Sequence, residues 1–315
     1  MKQFVSVHDV ADIEYLLQQA AHFVMHPLSK PDAGKGKTVG LIFLNPSLRT
    51  RLSTQKAAQN LGMQVMVMNL DKEGWALELQ DGAMMNGTTV EHIRDAAAVM
   101  GTYCDVIGIR CFAALQQRET DEAELLLTQL QRYAGVPVVS LESATLHPLQ
   151  SLADLLTIRQ YSTTQQPRIV LTWAPHVKPL PQAVANSFAQ WVLRAGYPLT
   201  ITHPEGLELD TRFTAGARIT HNQDEALTDA DFVYVKNWSS YTNYGSCVPG
   251  KPEWLLTPEK LLRTNNAYSM HCLPVRRNVE LSDAVLDSPR SLIYRQAANR
   301  VAAAQAVLHE LITHA

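Results

Sequence analysis

The stretch Ser47–Arg51 carries residue types that can bind a phosphate group. It follows the apolar run 37–44 through a turn at Pro46 and opens a segment with helical character. A strand, a tight turn and a helix N-terminus would bring backbone N–H groups and the positive end of the helix dipole to one point. Two hydroxyls and two guanidiniums at that point predict a phosphate site, and the alternative is an ordinary helix start with solvated arginines.

Two further stretches place polar groups close together along the chain. His147 and Gln150 lie one turn apart at the start of a predicted helix over 147–161, where both can donate to one oxygen atom. The alternative for this pair is a helix N-terminus with proline in its first turn. Residues His271–Asn278 put a thiol, carbonyls before a proline and two arginines into one turn, and the alternative is a buried cysteine beside surface arginines.

Apolar runs and helical segments alternate along the chain and predict the elements that position these residues. In the first half, the predicted strands are 37–44, 64–70, 105–109 and 136–140, and the predicted helices are 10–24, 50–61, 91–100 and 119–132. In the second half, the predicted strands are 168–173, 198–202 and 231–235, and the predicted helices are 182–194, 224–229, 257–263 and 281–287. This alternation predicts an α/β fold in which each of two domains has a central parallel sheet flanked by helices.

The length of 315 residues exceeds the usual size of a single hydrophobic core, which also predicts two domains. We place the first domain at 1–144 and the second at 145–295, with a closing helix at 296–315 that packs back on the first. The loops 174–181 and 237–252 directly follow predicted strands. Ligands in open α/β sheets bind beyond the carboxyl ends of strands, so both loops are candidate sites.

Composition and charge exclude several functional classes. The hydrophobic fraction of 46% and charged fraction of 18% are typical of a soluble globular protein, and the net charge of −3 argues against a general nucleic-acid binder. No apolar run has the length of a membrane span, and the first residues lack a signal-peptide core. The four cysteines show no CxxC spacing, which favours free thiols in the cytoplasm. The histidines lack ligand spacing, so we expect neither a metal nor a cofactor.

The three motifs, in this order and spacing, resemble the aspartate/ornithine carbamoyltransferase superfamily, and the likeness extends from residue 2 to about 312. The resemblance implies two α/β domains, carbamoyl phosphate bound by the first, and a homotrimer with active sites between subunits. A narrower likeness is to the branch of N-acetylornithine and N-succinylornithine carbamoyltransferases. It rests on the runs Phe43–Arg51, Thr172–His176, Lys178–Pro181, Lys236–Trp238 and His271–Asn278. In that branch the proline-rich loop belongs to a knotted chain path, which the resemblance therefore implies here.

Lys236 bears on whether the α-nitrogen of the substrate is free or acylated. Ornithine carbamoyltransferases carry an aspartate for the substrate α-ammonium at or near this position. A lysine there would repel that ammonium by roughly 1–4 kcal/mol, whereas an acylated α-nitrogen carries no charge. The alternative is that Lys236 is simply solvated.

Val90 bears on the choice between N-acetylornithine and N-succinylornithine as the substrate. The acetyl-type pattern has a glutamate at this position, and a neutral residue avoids its clash with the second carboxylate of a succinyl group. The alternative is that residue 90 is a neutral surface position. We therefore expect N-succinylornithine as the substrate, then N-acetylornithine, and then ornithine.

The resemblance also implies roles for single residues. The expected ligands of carbamoyl phosphate are Ser47, Leu48, Arg49, Thr50, Arg300 and, reaching across from a neighbouring subunit, Trp75. The residues expected to polarise the carbonyl oxygen are Arg110, His147 and Gln150. The carbamoyl NH2 group and the incoming amine are expected at the main-chain carbonyls of Cys272 and Leu273. The expected ligands of the acylated ornithine are Val90, Glu142, His176, Lys236 and Arg276.

The expected reaction belongs to arginine biosynthesis and is attack of the neutral δ-amine on the carbamoyl carbon, followed by loss of phosphate. Charge develops on the carbonyl oxygen and on the leaving phosphate, so preorganised donors at both places would supply most of the catalysis. Spacing fixes no base beside Cys272, which disfavours covalent catalysis. The alternative from another class is a regulator that binds carbamoyl phosphate without turnover. Neither a nucleic acid nor a membrane is expected as a partner.

Overall fold

The computed structural model describes residues 1–248 and 250–313, which form two compact units. The first unit holds Met1–Ala114, Glu119–Leu149 and the chain from Arg300 onwards. The second unit holds Leu115–Arg118 and Gln150–Asn299. Each unit is built on its own parallel sheet, which confirms the predicted fold class.

The elements of the first half alternate as the apolar pattern predicts. After a 3₁₀ turn at Val7–Asp9 they are α1 (Ile13–Met25), β1 (Thr38–Phe43), α2 (Arg49–Asn60), β2 (Gln64–Asn69), α3 (Leu70–Glu73), β3 (Leu77–Glu78), β4 (Glu91–His92), α4 (Ile93–Tyr103), β5 (Val106–Arg110), α5 (Arg118–Glu122), α6 (Leu125–Tyr133), β6 (Val138–Glu142) and α7 (Pro148–Tyr161).

The second half continues the alternation with shorter helices. Its elements are β7 (Ile169–Trp173), α8 (Ala183–Arg194), β8 (Leu199–Thr202), α9 (Thr211–Thr214), β9 (Arg218–Thr220), α10 (Gln223–Leu227), β10 (Phe232–Lys236), a 3₁₀ turn (Pro252–Trp254), α11 (Pro258–Leu261), β11 (Tyr268–Met270), α12 (Asp283–Leu286) and α13 (Ile293–Thr313).

The sheet of the first unit has the strand order β2-β1-β5-β6, and its paired strands are parallel. Strands β5 and β6 are buried throughout, because helices cover both faces of a parallel sheet. Ile42, Ile107 and Ile109 belong to the apolar cluster that covers one face together with α4 and α6. The strand ends place Arg110 opposite Glu142 at the carboxyl edge of the sheet.

The sheet of the second unit has the order β11-β10-β7-β8-β9, again with parallel neighbours. Val170, Val233 and Val235 belong to an apolar cluster with residues of α10 and α12. The rings of Phe188 and Tyr234 lie 4.3 Å apart between their centroids and join α8 to β10. The carboxyl edge of this sheet carries Lys236 and the segments that follow β7, β8 and β11.

Three local features differ from the pattern in the sequence. The helix predicted at 119–132 is two helices, because Glu124 is left-handed at φ 44° and its carboxylate accepts hydrogen bonds from the backbone N–H and hydroxyl of Thr145. The helix predicted at 91–100 begins at Ile93, since Glu91–His92 pair with β3 instead. Strand β9 was not predicted, because it is short and exposed.

Two further expectations concern membrane-spanning helices and a knotted chain path. Among the described residues, no helix combines the length and the apolarity that crossing a bilayer requires. The knotted path through the proline-rich loop stays a prediction.

Candidate active site

The loop between β1 and α2 forms an open donor site in the first unit. Leu48 occupies the N-cap position of α2, and no described side chain caps this end. The positive end of the α2 dipole therefore lies at this loop. A cavity of about 210 Å³ at this end is lined by Asn45, Pro46, Ser47, Arg51, Asn69, Asp71 and Lys72.

The hydroxyl of Thr50, which is only 2% exposed, is the centre of a buried cluster. Its Oγ1 accepts from Nη1 of Arg110 at 3.2 Å and from Nη2 of Arg300 at 2.6 Å. A hydroxyl oxygen has two lone pairs, and the two guanidiniums occupy both. The hydroxyl hydrogen of Thr50 is then the part of this group that can be donated to a ligand.

Glu142 and His147 complete this cluster within the first unit. Oε2 of Glu142 accepts from Nη1 of Arg110 at 2.5 Å and lies 3.4 Å from Nε2 of His147. Burial and the charges of Arg300 and Arg110 hold the pKa of His147 well below its usual value. The imidazole is therefore neutral at pH 7. A neutral ring can donate one hydrogen bond, and it lacks the second, acidic proton of an imidazolium.

Arg49 and Arg51 have different surroundings, although they lie in one motif. Arg51 donates to Oδ1 of Asn69 and stacks over the ring of Phe43, with 4.6 Å between its Cζ and the ring centroid. These contacts tie the start of α2 to β1 and β2. Arg49 is half-buried in the first turn of α2. Arg51 therefore has a structural role, although it also lines the cavity, and the phosphate role of Arg49 stays a prediction.

Trp75 and Val90 lie on a two-stranded ribbon formed by β3 and β4. The N–H of Val90 donates to the carbonyl of Ala76 at 2.8 Å, and Nε1 of Trp75 donates to Glu91 at 2.8 Å. Both side chains are exposed, Trp75 to 57% and Val90 to 64%. The ribbon is therefore ordered by its backbone, whereas the two predicted site residues point to solvent in the single chain.

In the second unit, Lys236, His176 and Arg276 meet at the carboxyl edge of the sheet. Lys236 ends β10 and is 7% exposed. Nε of Arg276 donates to Nε2 of His176 at 3.1 Å, so Nδ1 of His176 carries the hydrogen and donates to the carbonyl of Lys178 at 2.8 Å. Burial lowers the pKa of His176 and outweighs the opposing hydrogen bond to Lys178, so this ring is neutral at pH 7.

The turn at Cys272 and Leu273 rests on two buried groups. Nδ1 of His271 accepts from the N–H of Leu273 at 3.0 Å, and Nε2 lies 3.2 Å from Glu280. Burial would raise the pKa of Glu280, but the hydrogen bond from His271, with the charge of Lys236, brings it to about 2. Glu280 was not predicted from the sequence, because no periodicity marks an acidic residue in this loop.

Gln150 belongs to a second buried network of the same unit. Its Nε2 donates to Oδ1 of Asp154 at 2.7 Å, and Gln296 donates to the same oxygen at 2.7 Å. Oε1 of Gln296 accepts from the backbone N–H of His271 at 3.0 Å. Asp154 and Gln296 were not predicted as supporting residues; Asp154 follows Gln150 by one helical turn, which is the signal that the sequence offered.

Two family models match the chain. The model described as the carbamoyl-P binding domain of aspartate/ornithine carbamoyltransferase matches residues 2–160. The model described as the Asp/Orn binding domain of aspartate/ornithine carbamoyltransferase matches residues 181–311.

Relatives of known name match the chain over its whole length. N-succinylornithine carbamoyltransferase of Bacteroides thetaiotaomicron is 48% identical over 314 residues, which are 99% of each chain. N-acetylornithine carbamoyltransferase of Xanthomonas axonopodis pv. citri is 36% identical over 338 residues, covering 100% of this chain and 98% of its own. A solved structure of N-acetyl-L-ornithine transcarbamylase, with one glutamate replaced by valine and complexed with carbamyl phosphate and N-succinyl-L-norvaline, has a TM-score of 0.92 at 35% identity and covers 99% of this chain and 100% of that one. The chain therefore belongs to the aspartate/ornithine carbamoyltransferase family.

Proposed function

We propose that the protein transfers the carbamoyl group of carbamoyl phosphate to the δ-amine of N2-succinyl-L-ornithine, giving N-succinyl-L-citrulline and phosphate in arginine biosynthesis. The observation that carries the reaction type is the pair of guanidiniums, from Arg110 and Arg300, that both bind the hydroxyl of Thr50. Such a buried and already bonded set of donors stabilises a dianion without reorganising, which is what phosphate departure requires.

Carbamoyl phosphate binds to the first unit in this proposal. The first N–H groups of α2, the side chain of Arg49 and the hydroxyl of Thr50 hold the phosphate. Arg110 and the neutral His147 donate to the carbonyl oxygen, on which negative charge develops when the amine attacks. The low pKa of His147 supports this role, because a neutral imidazole donates a hydrogen bond and does not transfer its proton to the intermediate.

The acylated ornithine binds to the second unit. Lys236 is a buried cation, so it attracts the α-carboxylate and disfavours a substrate with a free α-ammonium. Arg276, which His176 orients, provides a second cation. The main-chain carbonyls of Cys272 and Leu273 accept from the δ-amine and so aim its lone pair.

The choice of a succinyl over an acetyl group rests on Val90. This residue is neutral and exposed, so it presents no charge to a second carboxylate. The relative at 48% identity is named for N-succinylornithine, whereas the relative at 36% is named for N-acetylornithine. The solved valine variant of N-acetyl-L-ornithine transcarbamylase, with N-succinyl-L-norvaline bound, also supports the inference that a neutral side chain accepts the succinyl group.

The assembly that we propose is a homotrimer in the cytoplasm. In it, Trp75 extends from one subunit to the carbamoyl phosphate of its neighbour, which would explain why an exposed indole lies on an ordered ribbon. The four cysteines are free thiols, as expected in a reducing compartment.

The decisive experiment compares three amine substrates under identical conditions. Purified protein is supplied with carbamoyl phosphate and with ornithine, N-acetylornithine or N-succinylornithine, and each citrulline product is quantified by mass spectrometry. The Thr50→Val variant, purified in the same way, measures the background from carbamoyltransferases of the expression host. We expect the highest kcat/KM with N-succinylornithine and background turnover with ornithine.

Each other outcome of this assay selects another function. A higher kcat/KM with N-acetylornithine would replace the proposed substrate by the runner-up. Ornithine turnover comparable to that of the acylated amines would contradict the role of Lys236. Binding of carbamoyl phosphate with no turnover of any amine would favour the regulator.

A further inference from the structure

Three side chains outside the candidate active site have the arrangement of metal ligands. Among residues 1–248 and 250–313, His203, Glu208 and His221 offer one ligand atom each, and these atoms lie within 4.8 Å of one another. His203 follows β8 and His221 follows β9, so two neighbouring parallel strands bring the histidines together at their carboxyl ends. Spacing along the chain gave no sign of this group, because the fold creates it.

The hydrogen bonds of both histidines leave the same ring nitrogen, Nε2, as the acceptor. Nδ1 of His203 lies 2.8 Å from the carbonyl oxygen of Pro204, and Nδ1 of His221 lies 3.0 Å from the carbonyl oxygen of His203. A carbonyl only accepts, so each Nδ1 carries the hydrogen and each neutral ring keeps its lone pair on Nε2. Histidines that bind metals in proteins are oriented by this type of bond from the other nitrogen to a carbonyl.

The charges also suit a divalent cation. His203 and His221 each offer an imidazole nitrogen, and Glu208 offers carboxylate oxygens. The backbone N–H of Gly206 donates to Oε1 of Glu208 at 3.0 Å and holds this carboxylate in place. The group therefore presents imidazole nitrogen and an ionised carboxylate together.

We propose that His203, Glu208 and His221 form a zinc-binding site. Two imidazoles and one carboxylate are ligands that Zn²⁺ accepts, with water as the fourth ligand of a tetrahedron. Metal–ligand bonds of about 2.0–2.1 Å require ligand atoms about 3.4 Å apart, so no separation must shorten by more than roughly 1.4 Å. His221 is exposed and Glu208 half-buried, so both side chains can make this movement and water can reach the metal.

The metal would brace the loop that supports the segment after Lys236. Nε1 of Trp238 donates to the carbonyl of Leu207 at 2.7 Å, and the hydroxyl of Ser240 donates to the carbonyl of Gly206 at 2.7 Å. The loop with two of the ligands thus holds the chain directly beyond β10. A cation bound to His203 and Glu208 would close this loop onto β9 through His221.

The test measures zinc binding by the full chain, without an affinity tag and after dialysis against EDTA. Titration against a chromophoric zinc chelator should give one site per chain. The variants His221→Ala and Glu208→Gln should lower the zinc affinity at least tenfold, and His8→Ala, which removes an exposed histidine of the other unit, should not. Zinc at a hundredfold excess over the dissociation constant of the parent should raise the Tm of the parent by on the order of 5 °C, and the same zinc concentration should raise the Tm of His221→Ala by no more than about half as much.

Two results would overturn the proposal. One is an absence of zinc binding at neutral pH by the parent protein, whose fold is verified by circular dichroism. The other is equal zinc affinity in the parent, His221→Ala and Glu208→Gln, which would place the metal at other residues. None of these measurements depends on carbamoyl transfer, so their failure and the failure of the proposed function are distinguishable.

Discussion

The first unit holds two candidate regions that differ in almost every physical respect. The cluster around Thr50 is buried, and its charged side chains are already bonded to one another. The ribbon with Trp75 and Val90 has an ordered backbone but exposed side chains. A preorganised region suits the phosphate chemistry that carbamoyl transfer always requires. Exposed residues can be substituted with little loss of stability. Such a region suits a choice between acyl groups.

The largest effect should come from removing the hydroxyl at the centre of the buried cluster. Thr50→Val keeps the shape of the side chain but leaves Arg110 and Arg300 without their shared acceptor, and it removes a donor to the ligand. We expect kcat/KM for carbamoyl phosphate to fall by about 10²–10³, as for other preorganised donors. Steady-state kinetics measures this, and Thr50→Ser should recover most of the loss. Activity of Thr50→Val within threefold of the parent would contradict the central place of this hydroxyl.

The two arginines of the motif should separate binding from stability. Arg49→Ala removes a charge-assisted contact worth about 1.5–3 kcal/mol, so the Kd of carbamoyl phosphate should rise by one or two orders of magnitude. Arg51→Ala is the matched control, because Arg51 is bonded to Asn69 and stacked on Phe43, and it should lower the Tm more than the affinity. Calorimetry and thermal denaturation measure both quantities. Equal effects of the two variants on affinity would remove the distinction.

Burial of His147 should make the protein less stable in acid. Its folded-state pKa is depressed, so the unfolded chain binds the proton first and stability declines as the pH falls below about 6.5. Between pH 7 and 5, protonation of this residue in the unfolded chain should lower the free energy of unfolding progressively. Urea denaturation across this range measures the slope, and His147→Gln should reduce it by one proton. The same slope in both proteins would mean that other groups cause it.

A single charge introduced at residue 90 should change the preference between the two acylated ornithines rather than the carbamoyl transfer step. Val90→Glu places a carboxylate where we expect the distal carboxylate of a succinyl group, at a cost of roughly 1–4 kcal/mol for two charges about 4 Å apart. The ratio of kcat/KM for N-succinylornithine over N-acetylornithine should fall at least tenfold. Val90→Ala is the uncharged control and should retain the ratio. If Val90→Glu keeps the ratio of the parent, residue 90 does not face the acyl group.

The smallest effect, a partial rescue, tests whether the exposed ribbon serves a neighbouring subunit. Trp75→Ala and Arg300→Ala should each impair the use of carbamoyl phosphate. After subunit exchange in equal amounts, about a quarter of the sites of a cyclic trimer would hold both native residues. Activity of the mixture should rise above that of either variant. A monomer by light scattering, or no rise after verified exchange, would contradict a shared site.

Strands and helices of the core could be predicted because burial leaves a regular signal. The apolar run before Pro46 and the polar turn after it located β1, the loop and the start of α2 within two residues. The carbamoyltransferase resemblance was likewise readable from the three motifs, and both family models match. These features depend on neighbours in sequence, which is why the sequence reveals them.

Contacts between distant segments could not be predicted in this way. No local pattern in the sequence indicates that Arg300 donates to Thr50, or that Glu280 supports the turn at Leu273. The break between α5 and α6 at Glu124 depends on its hydrogen bonds to Thr145. Helical periodicity in the sequence does not indicate contacts of this kind. The group of His203, Glu208 and His221 likewise exists only where two strand ends meet.

The closed hydrogen bonding around Thr50 also bears on how the reaction finishes. Both guanidiniums bind the hydroxyl of Thr50, so in the proposed reaction these donors would keep their positions after the carbamoyl group has left. Inorganic phosphate would then meet the same donors that we propose for carbamoyl phosphate. If the proposed site is this rigid, inorganic phosphate should inhibit the reaction competitively against carbamoyl phosphate.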